Sequence, residues 1–168
     1  MYIRKIRETE LHKISEIDRD FYEGYETPSE VPQNWFHNFP EGFFVAEEAG
    51  NIFAYIFVEM FEKIKAVPFI HDAKTTHTEN GKYIYVSGFG IKNGFEKVEN
   101  FLLEEIIKFG SSKNCKAIVW VTGEKMKHDI YEKHLIERYG FIKKENIEKW
   151  ESHPNHFVSD HNIWIKEL

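Results

Sequence analysis

Two groups of histidines are dense enough to be weighed as metal ligands. His153, His156 and His161 fall within nine positions, and His71, Asp72 and His77 cluster in one polar stretch. Imidazole is a common ligand, but neither group has the fixed helical spacing of a zinc signature. Nine histidines scattered over polar segments read as solvated side chains, and no metal site is expected. The single cysteine, Cys115, can form neither an intramolecular disulfide nor a thiolate cluster, and just ahead of an apolar run it reads as a packed thiol. Gly88, Gly90 and Gly94 do not make the GxGxxG of a dinucleotide fingerprint, and no βαβ unit precedes them. What remains is the junction Lys92-Asn93-Gly94, where an apolar run ends and an amphipathic pattern begins.

That junction needs a strand on one side and a helix on the other. Lys82 to Ile91 is the strand-like run. Val98, Phe101, Leu102, Ile106 and Phe109 then recur at spacings of three and four, with Leu103 and Ile107 widening the stripe. Gly110 stands just past the last of them as the expected C-cap, and AIVWV from Ala117 is the next strand. Strand, helix and strand in one sheet form a right-handed parallel crossover, so the end of the first strand and the amino end of the helix face a ligand crevice.

The flanking sequence supplies the rest of a sheet. Tyr2 to Arg7 alternates as a short edge strand, and Thr9 caps a helix carrying Leu11, Ile14, Ile17 and Phe21 inward until Gly24. A short helix fits Pro32 to Asn38. GFFVAEE and NIFAYIFVEMFE are antiparallel strands about a Gly50-Asn51 turn. The connection from Lys63 to Gly81 is long enough to carry substrate contacts or a lid. Downstream, Ile130, Tyr131, Leu135 and Tyr139 suit a helix closing at Gly140, FIKKENIEKW a strand, HPNHFVSDHN a polar loop and IWIKEL a last strand. This order predicts the α/β (α+β) class: a mixed, mostly antiparallel sheet of about seven strands with helices on both faces, residues 1–168 forming a single domain.

Composition narrows the function classes. A net charge of −6 and a pI near 5.9 lack the basic excess of a nucleic-acid binder, so none is expected as a partner. No run approaches the roughly 18 apolar residues of a membrane span, and the amino terminus has no signal-peptide core, so the expectation is a cytoplasmic protein with no membrane partner.

Several fragments, in this order and spacing, resemble the GNAT superfamily of acetyl-CoA-dependent N-acetyltransferases over nearly the whole chain. YIRKIRETEL looks like the family's first strand and its lead into the first helix. YEK at 131–133, YGF at 139–141 and IWIKEL at 163–168 are similar to its closing pattern. The resemblance implies acetyl-CoA as cosubstrate, with the fourth strand splayed from the fifth. Phe89, Gly90 and Ile91 would then line the pantetheine arm and offer a backbone N–H to the oxyanion. Asn93, Gly94, Phe95, Glu96, Lys97 and Val98 would cradle the pyrophosphate at a helix amino end, where unpaired N–H groups and the dipole favour anions. The chain departs from the family here, with one glycine in KNGFEKVE where the family spaces several after an Arg or Gln. Glu96 and Glu99 also oppose an anion: at ~8 Å each costs about 2 kcal/mol at an effective dielectric near 20. Lys92 and Lys97 offset part of that.

The same resemblance implies roles for side chains. A protonated amine must lose a proton before attack, and Glu59, near the end of the strand bordering the crevice, is the candidate base. The family's tyrosine general acid falls within one residue of Tyr131 when counted forward from Val121; counted back from Gly140-Phe141 the position is Ile136, and Tyr139 is the other tyrosine nearby. Lys125 stands near a cofactor-contacting asparagine of the family. The activity implied is acetyl transfer to a primary amine of a small molecule or peptide, with the aromatic-rich Trp35–Phe44 segment lining an amphipathic acceptor and a homodimer common in the family. The competing reading is a GNAT-fold ligand-binding or interaction module that has lost acetyl-CoA.

Overall fold

The computed structural model describes residues 1–24, 27–64, 77–153 and 156–168. Alternating and continuous apolar runs become nine strands: β1 (Tyr2–Lys5), β2 (Phe43–Glu48), β3 (Asn51–Phe61), β4 (Tyr83–Ile91), β5 (Ala117–Thr122), β6 (Ile142–Ile147), β7 (Trp150–His153), β8 (His156–Val158) and β9 (His161–Glu167). Four α-helices are interleaved among the described residues: α1 (His12–Phe21), α2 (Glu30–Asn38), α3 (Glu99–Ser112) and α4 (Lys127–Arg138). Seven strands form one sheet in the order β1-β2-β3-β4-β5-β9-β6, and β7 pairs with β8 in a separate hairpin. Only β4 and β5 run parallel; the other neighbours are antiparallel. No helix among the described residues is long and apolar enough to cross a membrane.

The helices cover both faces. Gly110 of α3 comes so close to Ile84 of β4 that an added Cβ would lie 3.1 Å from its side chain and 2.6 Å from Leu168. On the other face, Gly88 and Gly90 of β4 leave room for Trp35 of α2 and for Tyr55 and Ile17; a Cβ at Gly88 would sit 2.5 Å from the Trp35 ring. Small residues on β4 are what let two helices lie directly on the strand at the centre of the molecule. Leu11, Ile14 and Ile17 are buried as the helical spacing requires, and so are Val98, Leu102, Leu103 and Ile106.

Four local expectations are corrected. Gly110 does not end its helix: α3 continues to Ser112, and the left-handed residue after it is Asn114 (φ 57°). Phe101 is 47% exposed, outside the packed stripe. The hairpin turn is Ala49-Gly50, both at positive φ, with Asn51 already paired to Glu48. HPNHFVSDHN is not simply a loop, because β8 and the start of β9 come from it.

Candidate active site at the β4/β5 split

β4 and β5 pair from Tyr83 and Ala117 as far as Val86 and Trp120, then part. The cause is local. On the opposite edge, Phe57 pairs with Gly88 and Val58 with Val86, so Ser87 is one extra residue, a β-bulge. A bulge bends and twists its strand. Beyond it, Gly88–Ile91 stay with β3 and leave β5 behind. The gap holds a cavity of about 190 Å³, walled by β4 and β5, by His128, Asp129 and Glu132 of α4, by Tyr22 and Trp35, and by Trp150, Val158 and His161 of the β7/β8/β9 region. His128 and Glu132 are four positions apart, so one face of α4 presents both.

The cavity's polar groups are buried and engaged. Ser87 Oγ donates to the wholly buried Glu59 carboxylate, which links a group behind the wall to one that lines it. Trp120 Nε1 donates to Glu132 Oε2 at 2.9 Å. Burial nevertheless pushes the Glu132 carboxyl up to about 8, with the nearby Asp129 charge adding to it. Asp129 accepts the backbone N–H groups of Gly123, Lys125 and Met126, which caps α4. Burial lowers the pKa of His128, so it stands neutral near pH 7; its Nδ1 is buried and makes no hydrogen bond among the described residues. Tyr55, which also lines the cavity, donates to Asp18 Oδ1 at 2.6 Å, and burial raises Asp18 to about 6.

A second cavity, of about 130 Å³, lies beside Ile91, Asn93, Lys127 and Tyr131. Phe21, Tyr22 and His128 stand between the two: Tyr22 donates to the Phe89 carbonyl at 2.6 Å and packs edge-on against His128 at 4.7 Å, while Phe21 meets Phe89 and Tyr131. At the amino end of α3 the Glu99 carboxylate accepts from Tyr131 and from Arg138. Asp20 takes both the backbone N–H of Asn93 (2.9 Å) and its side-chain amide (3.0 Å).

No family model matches the sequence, and no curated protein does. Solved structures match it end to end. The loading GNATL domain of CurA from Lyngbya majuscula is similar over 98% of this chain and 95% of its own, at a TM-score of 0.77 and 13% identity. The GphF GNAT-like decarboxylase in complex with isobutyryl-CoA is similar over 99% of each chain, at 0.72 and 11%. The chain has the GNAT fold. The NatB acetyltransferase complex bound to CoA and MES is similar over 100% of this chain and 99% of that one, at 0.72 and 11%. The last two are complexes with a CoA ester and with CoA, one a decarboxylase and the other an acetyltransferase.

Within the GNAT fold the sequence-derived residues divide between the two cavities. Phe89 lines the first and Ile91 the second, with Gly90 between them under Tyr55. Glu59 reaches the first cavity through Ser87, whereas Tyr131 lines the second with its hydroxyl on Glu99. In the junction loop, Phe95 stacks on Phe53 at 4.4 Å and its N–H bonds Lys92; Val98 is a core residue. Lys97 is exposed, Gly94 turns at φ 87°, and the side chain of Glu96 is not described. Lys125 pairs with Asp160 on the surface. Trp35 lines the first cavity, but Phe43 and Phe44 of the same aromatic-rich segment are in the core.

The loop retains what an anion needs in part: Lys92 and Lys97 are there, and Arg138 neutralises Glu99. Asp20 on the Asn93 donors, Glu16 at 3.4 Å from Lys92 and the charge of Glu96 still oppose an anion; the Asp20–Asn93 bonds are exposed and so exchangeable with solvent. A pyrophosphate would have to draw on Lys92, Lys97 and the Asn93 donors that Asp20 now holds, because the N–H groups of Phe95 and Val98 are already bonded within the loop. Sequence reasoning missed His128, Glu132, Ser87, Tyr22 and Trp150; the spacing of His128 and Glu132 on a predicted helix was the available signal. Of the histidine groups, His71 and Asp72 lie outside the described residues. His77 accepts the Met60 N–H and stacks on Phe39, and His161 Nδ1 lies 2.8 Å from the Ser159 carbonyl. Among the described residues no cluster of three or more metal-ligating side chains is present.

Proposed function

We propose that the protein transfers an acetyl group from acetyl-CoA to a primary amine of a small molecule or peptide. The observation that carries this reading is the split of β4 from β5, which leaves the edge of β4 from Ser87 to Ile91 without a strand partner among the described residues, between two cavities. Backbone from Phe89 to Ile91 would hold the pantetheine arm, and the loop Asn93 to Val98 with Lys92 the phosphates. A thioester supplies an activated acyl carbon and a thiolate leaving group. An amine of pKa about 10.4 arrives protonated at neutral pH, so the site must accept a proton. Glu59 through Ser87, and the neutral His128, would accept it. Glu132, protonated at neutral pH, is matched to a thiol of pKa about 8.5 and can return a proton to the thiolate.

A second reading, a GNAT-fold ligand-binding module without acetyl-CoA, is favoured by one observation: Asp20 already occupies both donors of Asn93. One experiment separates the two. Acetyl-CoA at ~100 times its dissociation constant should stabilise the fold by roughly 2.7 kcal/mol, read as a thermal shift, and amines should then release free thiol. No shift at millimolar acetyl-CoA together with no thiol release would leave the binding-module reading standing.

A further inference from the structure

We infer that the acceptor taken by the cavity at the β4/β5 split is a compact arylalkylamine carrying no carboxylate or phosphate. The reaction assigned to that acceptor rests on the acetyl-transfer reading; its binding rests on the cavity alone. The first argument is charge. Among the described residues, the ionisable groups lining the cavity are tyrosines, His128, Asp129, Glu132 and His161, with no lysine or arginine. An ammonium group there meets aromatic faces, which attract cations, and carboxyl groups. An anionic group would be desolvated with no cation to pair it.

The second argument is the imidazole. His128 Nε2 stands 3.5 Å from Asp129 Oδ1, which favours the tautomer protonated at Nε2 and leaves Nδ1 as an acceptor. That Nδ1 has no hydrogen-bond partner among the described residues and is closed to solvent, so an amine N–H of the acceptor pairs with it by a turn of the imidazole toward the cavity that His128 lines. The third argument is size and shape. A cavity of about 150 Å³ holds a benzene ring, so the 190 Å³ here has room for a ring with a short aminoalkyl arm. Tyr22, Trp35, Trp120 and Trp150 give that ring aromatic walls, and the carboxylate of a dipeptide, like that of an amino acid, meets no cation among the described lining residues.

Phenethylamine and phenylalanine form the test, since they differ only by the carboxylate; the dipeptide phenylalanylglycine is the third probe. Binding of each is measured by calorimetry with and without CoA, and thiol release is then followed with saturating acetyl-CoA. Phenethylamine is expected to bind at least tenfold more tightly than either of the others. Trp150→Ala should weaken it at least fivefold and Trp150→Phe restore most of the loss, with circular dichroism confirming that both variants fold. Equal or tighter binding of phenylalanine or the dipeptide, or no binding of phenethylamine, overturns the assignment. Phenethylamine binding without thiol release upholds the cavity assignment and removes the transfer reading. Thiol release with another amine and no phenethylamine binding does the reverse.

Discussion

The Tyr131 hydroxyl donates to the Glu99 carboxylate, which Arg138 also holds. Its proton is committed there, so delivering it to a thiolate would first require that bond to break. A hydrogen bond to a charged group contributes about 1.5–3 kcal/mol. Tyr131→Phe is therefore expected to lower stability by about 1–3 kcal/mol in urea unfolding while kcat for thiol release stays within threefold of wild type. A tenfold loss of kcat at unchanged acetyl-CoA affinity would instead support Tyr131 as the general acid. Position on α4 explains the difference between neighbours: Tyr131 turns toward α3, while His128 and Glu132 line the split. A count along the sequence finds a tyrosine but not the direction it faces.

At the scale of elements, the amino end of α3 is the contested feature. Glu99 looks hostile to an anion in the sequence, yet Arg138, 39 positions away, compensates its charge. Asp20, 73 positions from Asn93, is the carboxylate that a phosphate would have to displace from the loop's donors. Asp20→Asn removes that negative charge and is expected to tighten acetyl-CoA binding at least threefold by calorimetry, more at low salt than at high. Weaker binding would mean that Asp20 holds Asn93 in place for the ligand instead of competing with it.

For the whole molecule, two buried carboxyl groups tie folding to pH. Glu132 is raised to about 8 and Asp18 to about 6, both chiefly by burial. An unfolded glutamate titrates near 4.3, so between about pH 4.3 and 8 the folded chain keeps a proton on Glu132 that the unfolded chain releases. Stability from this group is whole below that window and is lost across it, by about 1.4 kcal/mol per pH unit. His77 and His128, lowered by burial, act the opposite way below about 6.5, so a difference between variants is the clean reading. Glu132→Gln keeps an acceptor for Trp120 and loses the titration. Its stability relative to wild type should climb steadily from pH 5 to pH 8 in urea unfolding. A flat difference would show that Glu132 ionises in the folded protein as it does in water.

The sequence by itself determined the elements of the main sheet and their order. The strand, helix and strand from Tyr83 to Thr122 were legible because periods of two and of about 3.6 are local properties of the chain. The seven-stranded mixed sheet followed from that order. What only the tertiary structure decided is the site. The bulge at Ser87 exists only in the register of β4 against β3, and the split exists only in the pairing of β4 with β5. The β7/β8 hairpin was unreadable because strands of four and three residues carry too little periodic signal. Ser87 with Glu59, Asp20 with Asn93 and Trp120 with Glu132 meet across the fold. Sequence specifies which donors, acceptors and apolar faces exist; burial and partner choice, which set their charge and reach, belong to the packed molecule.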